Sequence, residues 1–417
     1  MRISTSEFFR LATQSLVDQQ AALGRQQLKI ASGREILTPS DDPVGAAQLV
    51  AYDNALEAIG QFSRNANRAE GRLGLTEESL AAAVDNLQRV RELTVAASND
   101  TQTNESRAGI AREIRQRLDD LIAIGNTRDA NGEFVFAGNQ TAVRPFRVDA
   151  GSAAGVAYDG DDGQRLVSID TARQVAINES GRRIFMAAAE GNGRFVTARD
   201  PSNTGAAFIR PGDVVDASAY VADSYTLVFD AADPDAVSFS ILDGSGAVID
   251  DLDGNPVSGI AYNPGENGQT ITSVPGIRFD VSGTPADGDR FGISAAGRQS
   301  VFETYNGLVD TLETAVAGPV DTAEFRENIE RTLQNLDQSL TQFIEARADV
   351  GGRLRVVEDQ ELLNTDRELQ YEGARSRIED LDYAEAISQL QFQITAFQAA
   401  QQSFVRIQGL SLFRLLG

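Results

Sequence analysis

The sequence predicts an α+β fold: a long α-helical coiled-coil rod formed by the N- and C-terminal segments, with an inserted antiparallel β-rich module. Three observations carry that prediction. Apolar residues recur at alternating steps of three and four in both outer thirds of the chain. The stretch from about 133 to 295 changes to short apolar runs punctuated by Gly, Asp, Asn and Pro. The helical stripes lie at the two chain ends, which implies that the ends close one rod around a module of its own core.

Phe9, Leu16, Leu23 and Ile30 recur every seven residues and define the first helix. The following stretch, ASGREILTPSDDPVGAAQL at 31–49, holds Pro39, Ser40, Asp41, Asp42 and Pro43. The prolines stop the first helix from running straight on, and Asp41 or Asp42 caps a helix restarting at Pro43. Carboxylates suit that positive helix end, so the two acids read as a helix joint rather than as catalysts or ligands. Leu49, Tyr52, Leu56 and Ile59 begin the next helix. Leu73, Thr76, Leu80, Ala83, Leu87, Val90, Thr94 and Ala97 continue helical spacing to a break at Ser98–Asn104. Ile114, Leu118 and Leu121 follow in a third helix.

In the middle, Phe134-Val135-Phe136, Arg165–Ile169, Tyr225–Phe229, Val237–Leu242, Ile277–Val281 and Phe291–Ile293 read as antiparallel strands joined by tight turns. Helical spacing returns with Ile329, Leu333, Leu336, Leu340 and Phe343. It passes one seam position held by Arg347, then resumes at Val350, Leu354 and Val357. Tyr383, Ile387, Leu390, Ile394, Phe397, Gln401 and Phe404 form a last seam. A 3.5-residue repeat keeps one stripe toward a partner helix.

Composition removes whole classes of chemistry. The chain has no cysteine and no histidine, so disulfides, thiolate nucleophiles, Cys/His zinc sites and Ser-His-Asp triads are impossible. The sole lysine, Lys29, lies outside any phosphate-loop motif. A net charge of −24 argues against nucleic acid or an anionic membrane as the main partner. The N-terminus lacks the basic-then-apolar pattern of a cleavable signal, and the segment 386–405 carries six glutamines, which argues against membrane insertion. The acidic stretches Asp250–Asn255 and Tyr158–Gln164 read as turns rather than calcium loops. Asn104-Glu105-Ser106 and Asn178-Glu179-Ser180 match the glycosylation sequon, a motif too short to assign a role. No catalytic residue, metal site or cofactor is expected, and the chain reads as a non-enzyme.

Residues 384–417 contain three charged groups, Glu385, Arg406 and Arg414, while apolar side chains such as Phe392 and Val405 lie off the seam. A helix apolar on several sides is normally buried on several sides. Pairing one terminal helix with the other covers a single stripe of each, less than ordering both ends costs. The ends are therefore expected to be disordered in a monomer and to fold on assembly. The expected subunit-interface residues are Phe9, Leu16, Leu23, Ile30, Ile387, Leu390, Ile394, Phe397, Phe404, Leu412 and Leu415.

Two motifs at opposite ends carry a resemblance. Ser32-Gly33-Arg34-Glu35-Ile36, then Pro39-Ser40-Asp41-Asp42-Pro43-Val44-Gly45, is similar to an N-terminal pattern of the bacterial flagellin superfamily. Glu35 stands where that pattern has an apolar residue. Arg377-Ile378-Glu379-Asp380-Leu381-Asp382-Tyr383-Ala384 resembles the C-terminal one. Asn131–Gly138, with Thr141 and Pro145-Phe146, and Tyr158–Gln164 resemble its hook-associated branch. The resemblance covers about 1–185 and 298–417. It implies a secreted structural subunit that links flagellar hook to filament. Its partners would be copies of itself in a ring, the preceding hook-associated protein, flagellin and a cytoplasmic export chaperone covering the C-terminal helix. The domains expected are 1–40 plus 380–417 for terminal assembly, 41–188 plus 298–379 for the rod with a small hairpin region near 133–185, and 189–297 for the outer β domain. A filament subunit, or a non-flagellar secreted coiled-coil binding protein with a β head, are the alternatives.

Overall fold

The structure of the protein, a computed structural model, describes residues 5–251, 253–265 and 268–413; the side chains of 5, 6, 8, 9 and 407–413 lie outside that description. Three helices open the chain: α1 (Thr5–Ser32), α2 (Pro43–Ala97) and α3 (Asn104–Gly125). Short strands follow: β1 (Phe146–Val148), β2 (Val156–Tyr158), β3 (Leu166–Ser168) and β4 (Gln174–Ala176), then a single helical turn, α4 (Gly181–Phe185), and β5 (Ala188–Ala189). The β module comprises β6 (Phe195–Arg199), β7 (Phe208–Ile209), β8 (Asp213–Val214), β9 (Tyr225–Asp230), β10 (Ser238–Leu242), β11 (Ile260–Ala261), β12 (Gln269–Ile271), β13 (Ile277–Ser282) and β14 (Arg290–Ala295). The chain returns through β15 (Arg298–Gln299), α5 (Val301–Glu313), α6 (Pro319–Glu379) and α7 (Tyr383–Phe413). It divides into two compact units, 1–66 with 359–417 and 67–358. Among the described residues no helix is long and apolar enough to cross a membrane.

In the unit 67–358 the stripe expected on α2 is buried: Leu73, Leu80, Ala83, Leu87, Val90 and Ala97 face inward. Thr76 and Thr94 occupy the same stripe because each hydroxyl donates to the carbonyl one turn back, Arg72 at 2.8 Å and Val90 at 2.7 Å. On α6, Ile329, Leu336, Phe343, Val350 and Val357 are buried. Arg347 interrupts that run as an anchor, its Nε donating to Glu77 Oε1 on α2 at 3.0 Å. Between α2, α3 and α5, the buried Tyr305 hydroxyl donates to Asn86 Oδ1 at 2.9 Å, and Asn86 Nδ2 donates to the Arg117 carbonyl at 3.0 Å. The break between α2 and α3 ends in a cap, where Thr103 Oγ1 accepts from the Ser106 amide at 3.2 Å.

The stretch Phe134-Val135-Phe136 is not a strand. Phe134 and Ala137 make isolated bridges to Arg128 and Ser180, and the run is buried on both sides. Phe136 and Phe146 each pack against Phe185, which meets Phe343 of α6 edge-on at 4.9 Å. Its backbone groups bond to separate segments, the Phe134 amide to the Thr141 carbonyl, the Val135 amide to the Thr127 carbonyl and the Phe136 carbonyl to the Gly181 amide, so no single neighbour forms a ladder with it. Asn178 of the second sequon is fully buried and donates to the Gly138 carbonyl at 2.7 Å, so its amide serves the fold. Next to it, Glu179 is held by Arg183 at 2.8 Å and Arg353 at 2.5 Å.

The β module consists of two antiparallel sheets. One has the order β11-β10-β9-β14-β6; the other has β12-β13-β7, with β8 also pairing with β13. Alternate residues point inward, as in Tyr225, Leu227 and Phe229 of β9, and both sheets supply one core with Ile241, Phe279, Val281 and Phe291. Phe229 sits at its centre, 5.0 Å from the Tyr262 ring and 5.9 Å from that of Phe291. In the loop Asp250–Asn255, Asp251 Oδ1 accepts from the Asp253 and Asn255 amides, both at 2.9 Å, which is an Asx turn.

The Glu179 carboxylate is almost fully enclosed, so Arg353→Ala should cost about 3 kcal/mol in thermal or denaturant unfolding. A loss below about 0.5 kcal/mol would show that Arg183 alone satisfies it.

Candidate assembly site

Unit 1–66 with 359–417 holds the terminal helices and the turn between α1 and α2. Gly33 ends α1 with a left-handed φ of +73°, its amide donating to the Lys29 carbonyl at 2.8 Å. A Cβ there would meet the Tyr383 hydroxyl at 2.9 Å. The chain then pairs with a segment from its far end. Arg34 bridges Asp380 antiparallel, the Glu35 amide donates to the Glu379 carbonyl at 2.7 Å, and the Leu381 amide donates to the Gly33 carbonyl at 3.0 Å. Ion pairs flank this clamp: Arg34 with Glu379 at 3.0 Å, Arg375 with Glu379 at 3.2 Å and with Asp53 at 3.5 Å. Glu35 pairs with Lys29 at 2.6 Å.

The two acids of the joint divide their work. Asp41 Oδ2 accepts from the Thr38 amide at 2.8 Å, the Thr38 hydroxyl at 3.0 Å and the Leu37 amide at 3.2 Å, closing the bend before α2. The Thr38 amide, then its hydroxyl, hold the Asp41 carboxyl below the usual carboxylate range against slight desolvation. Asp42 caps α2: its Oδ1 accepts from the Val44 and Gly45 amides, both at 3.0 Å. Gly45 is small because a Cβ would meet Asp42 Oδ2 at 2.5 Å and Ile36 Cδ1 at 2.7 Å. Asp382 repeats the device at α7, its Oδ1 accepting from the Ala384 amide at 2.9 Å and the Glu385 amide at 3.2 Å.

Beyond the clamp, α1 and α7 pack side by side and antiparallel. Gln26 Nε2 donates to the Ala386 carbonyl at 3.1 Å. Leu16 and Leu23 of α1 and Leu390 and Phe397 of α7 are half-buried at heptad steps from that contact. Gln19 and Gln393 each bury a side-chain oxygen without a hydrogen-bond partner. On the opposite faces Leu11, Val17, Leu28, Phe392 and Val405 are exposed, Phe392 at 76%. In the same unit Leu362 and Leu369 of α6 are also exposed, and Leu369 lines an open groove with Tyr52, Tyr371 and Arg377.

The chain is similar in sequence and in structure to known proteins. A family model described as the bacterial flagellin N-terminal helical region matches residues 3–141. Flagellar hook-associated protein 3 of Escherichia coli (strain K12) is 24% identical over 416 residues, covering 100% of this chain and 99% of the relative. The crystal structure of Xanthomonas campestris FlgL has 30% identity and a TM-score of 0.69, covering 78% of this chain and 99% of that one. The chain belongs to the FlgL family of the flagellin superfamily. The flagellar junction protein FlgL from Legionella pneumophila is similar too, with 29% identity and a TM-score of 0.71, over 80% of this chain and 100% of that chain.

In this FlgL-family chain the expected interface residues fall into three groups. Leu16, Leu23, Ile30, Leu390, Ile394, Phe397 and Phe404 are half-buried on the two terminal helices, and Ile387 is exposed. The Phe9 side chain, Leu412 and Leu415 lie outside the described residues. Pro39 lies in the bend, and Pro43 is the first residue of α2, directly after its Asp42 cap. Sequence reasoning assigned no role to Asp382, although an Asp directly before a helical run is a cap signal. It also left Leu362 and Leu369 aside, because they lie off the buried stripe of α6.

Replacing Asp42 or Asp382 by Ala should each cost about 0.5–2 kcal/mol in unfolding of the terminal unit, followed by circular dichroism. Gly33→Ala should cost about 1–3 kcal/mol from backbone strain and the Tyr383 contact. For Asp41, whose folded carboxyl is the more acidic, the stabilisation is present at neutral pH and is lost as pH falls through its depressed value. Asp41→Asn should flatten that acid-side loss, and an unchanged acid limb would overturn the assignment.

Proposed function

We propose that this chain is a structural subunit of the bacterial flagellum, a hook-associated protein that joins hook to filament by assembly of its terminal helices. One observation carries the reading: Leu11, Val17, Leu28, Phe392 and Val405 stand exposed on helices whose other face already packs within the chain. Apolar area of that kind is covered in an assembly. The partners that fit it are copies of the same chain in a ring, the preceding hook-associated protein on one side and flagellin on the other. Before export, a cytoplasmic chaperone over α7 would keep the same face from aggregating. In this reading 1–40 with 380–417 form the assembly domain, 41–188 with 298–379 the rod, and 189–297 the outer β domain. Phe9, Leu412 and Leu415 belong to the proposed interface with the half-buried seam.

Complementation of a strain lacking the protein tests this. Phe392→Asp should leave the unfolding of 67–358 within about 0.5 kcal/mol of wild type, since the side chain is exposed in the other unit. It should still be secreted, and it should fail to restore filaments. Normal filaments with this variant would overturn the reading of that face. Purified protein added to isolated hooks should occupy their ends and stop; growth of long filaments from it alone would mark a filament subunit instead.

A further inference from the structure

Within the unit 67–358, α6 passes beneath the β module and presents Glu327 and Glu330 to it. Glu327 is 3% exposed. Its Oε1 accepts from the Arg199 amide at the end of β6 at 2.6 Å, while its Oε2 is buried with no hydrogen-bond partner. The cations around it are engaged elsewhere. The Arg199 guanidinium donates to the carbonyls of Ala207 at 2.6 Å, Gly205 at 2.7 Å and Asn203 at 3.0 Å. Arg331, one turn along α6, donates to Asn328 Oδ1 at 2.7 Å. Arg210, next to β7, lies 3.6 Å from Glu330, and Arg326 pairs with Asp100 at 2.9 Å. A carboxylate enclosed with the Arg199 amide as its one close donor, a weaker attraction from the Ile209 amide and no ion pair is short of the hydrogen bonds that would offset its lost hydration.

We propose that Glu327 is a protonation-controlled latch seating β6 and β7 on α6: the neutral carboxyl holds the β module down, and the ionised carboxylate loosens it. Burial pushes Glu327 above the ordinary carboxylate range, opposed by the Arg199 and Ile209 amides and by the Arg331 and Arg199 guanidiniums. Burial also raises Glu330, opposed by Arg210 and Arg326 and reinforced by Asp280. For an acid raised in the folded state, the folded form binds the extra proton. The module is therefore seated most firmly at low pH and loses that contribution as pH rises from the unfolded value through the folded one. This device concerns the β module and does not depend on the flagellar reading.

Carboxyl-carbon NMR of the full chain, with hydrogen exchange at the Arg199 and Ile209 amides, tests the latch. Glu327 should titrate above the ordinary glutamate value of about 4.3. Exchange protection of both amides, corrected for intrinsic rates, should fall as pH rises, by up to about tenfold per unit of upward shift. Glu327→Gln should abolish that dependence, and Glu330→Gln should keep it. Titration of Glu327 at or below the ordinary value in the unmodified protein overturns the proposal, whatever the variants do. So does a pH response that survives Glu327→Gln, or one that disappears with Glu330→Gln.

Discussion

Two segments separated by most of the chain meet at Gly33–Glu35 and Glu379–Leu381, and the main-chain hydrogen bonds between them fix where α1 ends and α7 begins. Everything in the terminal unit follows from that clamp. Because Gly33 can adopt a left-handed φ, α1 stops there and its chain turns outward to pair. Because the pair ends at Leu381, Asp382 is left in position to cap α7. On the other strand, the bend closed by Asp41 delivers Asp42 to the start of α2. Asp41, Asp42 and Asp382 each satisfy backbone amides at a helix start or bend, positions where a carboxylate is favoured by hydrogen bonding and, at a helix start, by the helix dipole. Side-chain ion pairs such as Lys29–Glu35 add little on an exposed surface. Their value is in selecting one geometry for the bend.

The unit 67–358 follows a different logic. Its long helices carry polar residues within buried stripes, and several of these are held by specific partners from other elements. Arg72 is enclosed by Asp129, Glu133 and the Phe134 carbonyl at 2.6, 2.8 and 3.0 Å, which ties the 129–134 turn to α2. Arg347–Glu77 and Tyr305–Asn86 perform the same service between helices. Buried polar groups with complete partners specify one packing, because any slipped alternative leaves a donor or acceptor dry. Glu327 differs from these in being a buried acid with no ion pair, and that makes it responsive to pH.

Much of the fold was legible in the sequence because the helices are long and their period is regular. The stripe from Leu73 to Ala97, the break at Ser98–Asn104 and the α2 cap are local patterns, set by spacing and by capping chemistry. The runs Tyr225–Phe229, Val237–Leu242, Ile277–Val281 and Phe291–Ile293, bounded by turn residues, were legible as strands to within about two residues of their observed ends. Phe134–Phe136 was misread because a short apolar run has the same appearance whether it lies in a sheet or is enclosed by side chains. The partners of Arg347, Arg34 and Arg72 lie at sequence distances that no periodicity reports. At the candidate site, Asp42 could be found from its neighbours, whereas the clamp joining residues 33–35 to 379–381 depends on tertiary pairing alone.

The terminal pair is built to be sufficient at its root and insufficient along its length. Leu16, Leu23, Leu390 and Phe397 are large apolar residues of the two helices, but Gln26 sits against Ala386 among them, and Gln19 and Gln393 bring buried oxygens that lack donors. A seam of that composition gains less from pairing than a continuous leucine seam would. Meanwhile the outer faces carry Phe392, Leu11 and Val17 in water. Tightening the seam would make the isolated chain more stable without covering those faces. Covering them would supply what the seam withholds, so stability in this unit is deferred to contacts outside the chain. The clamp makes that deferral workable: it keeps the two helices in one register while the interactions that finish them are still absent.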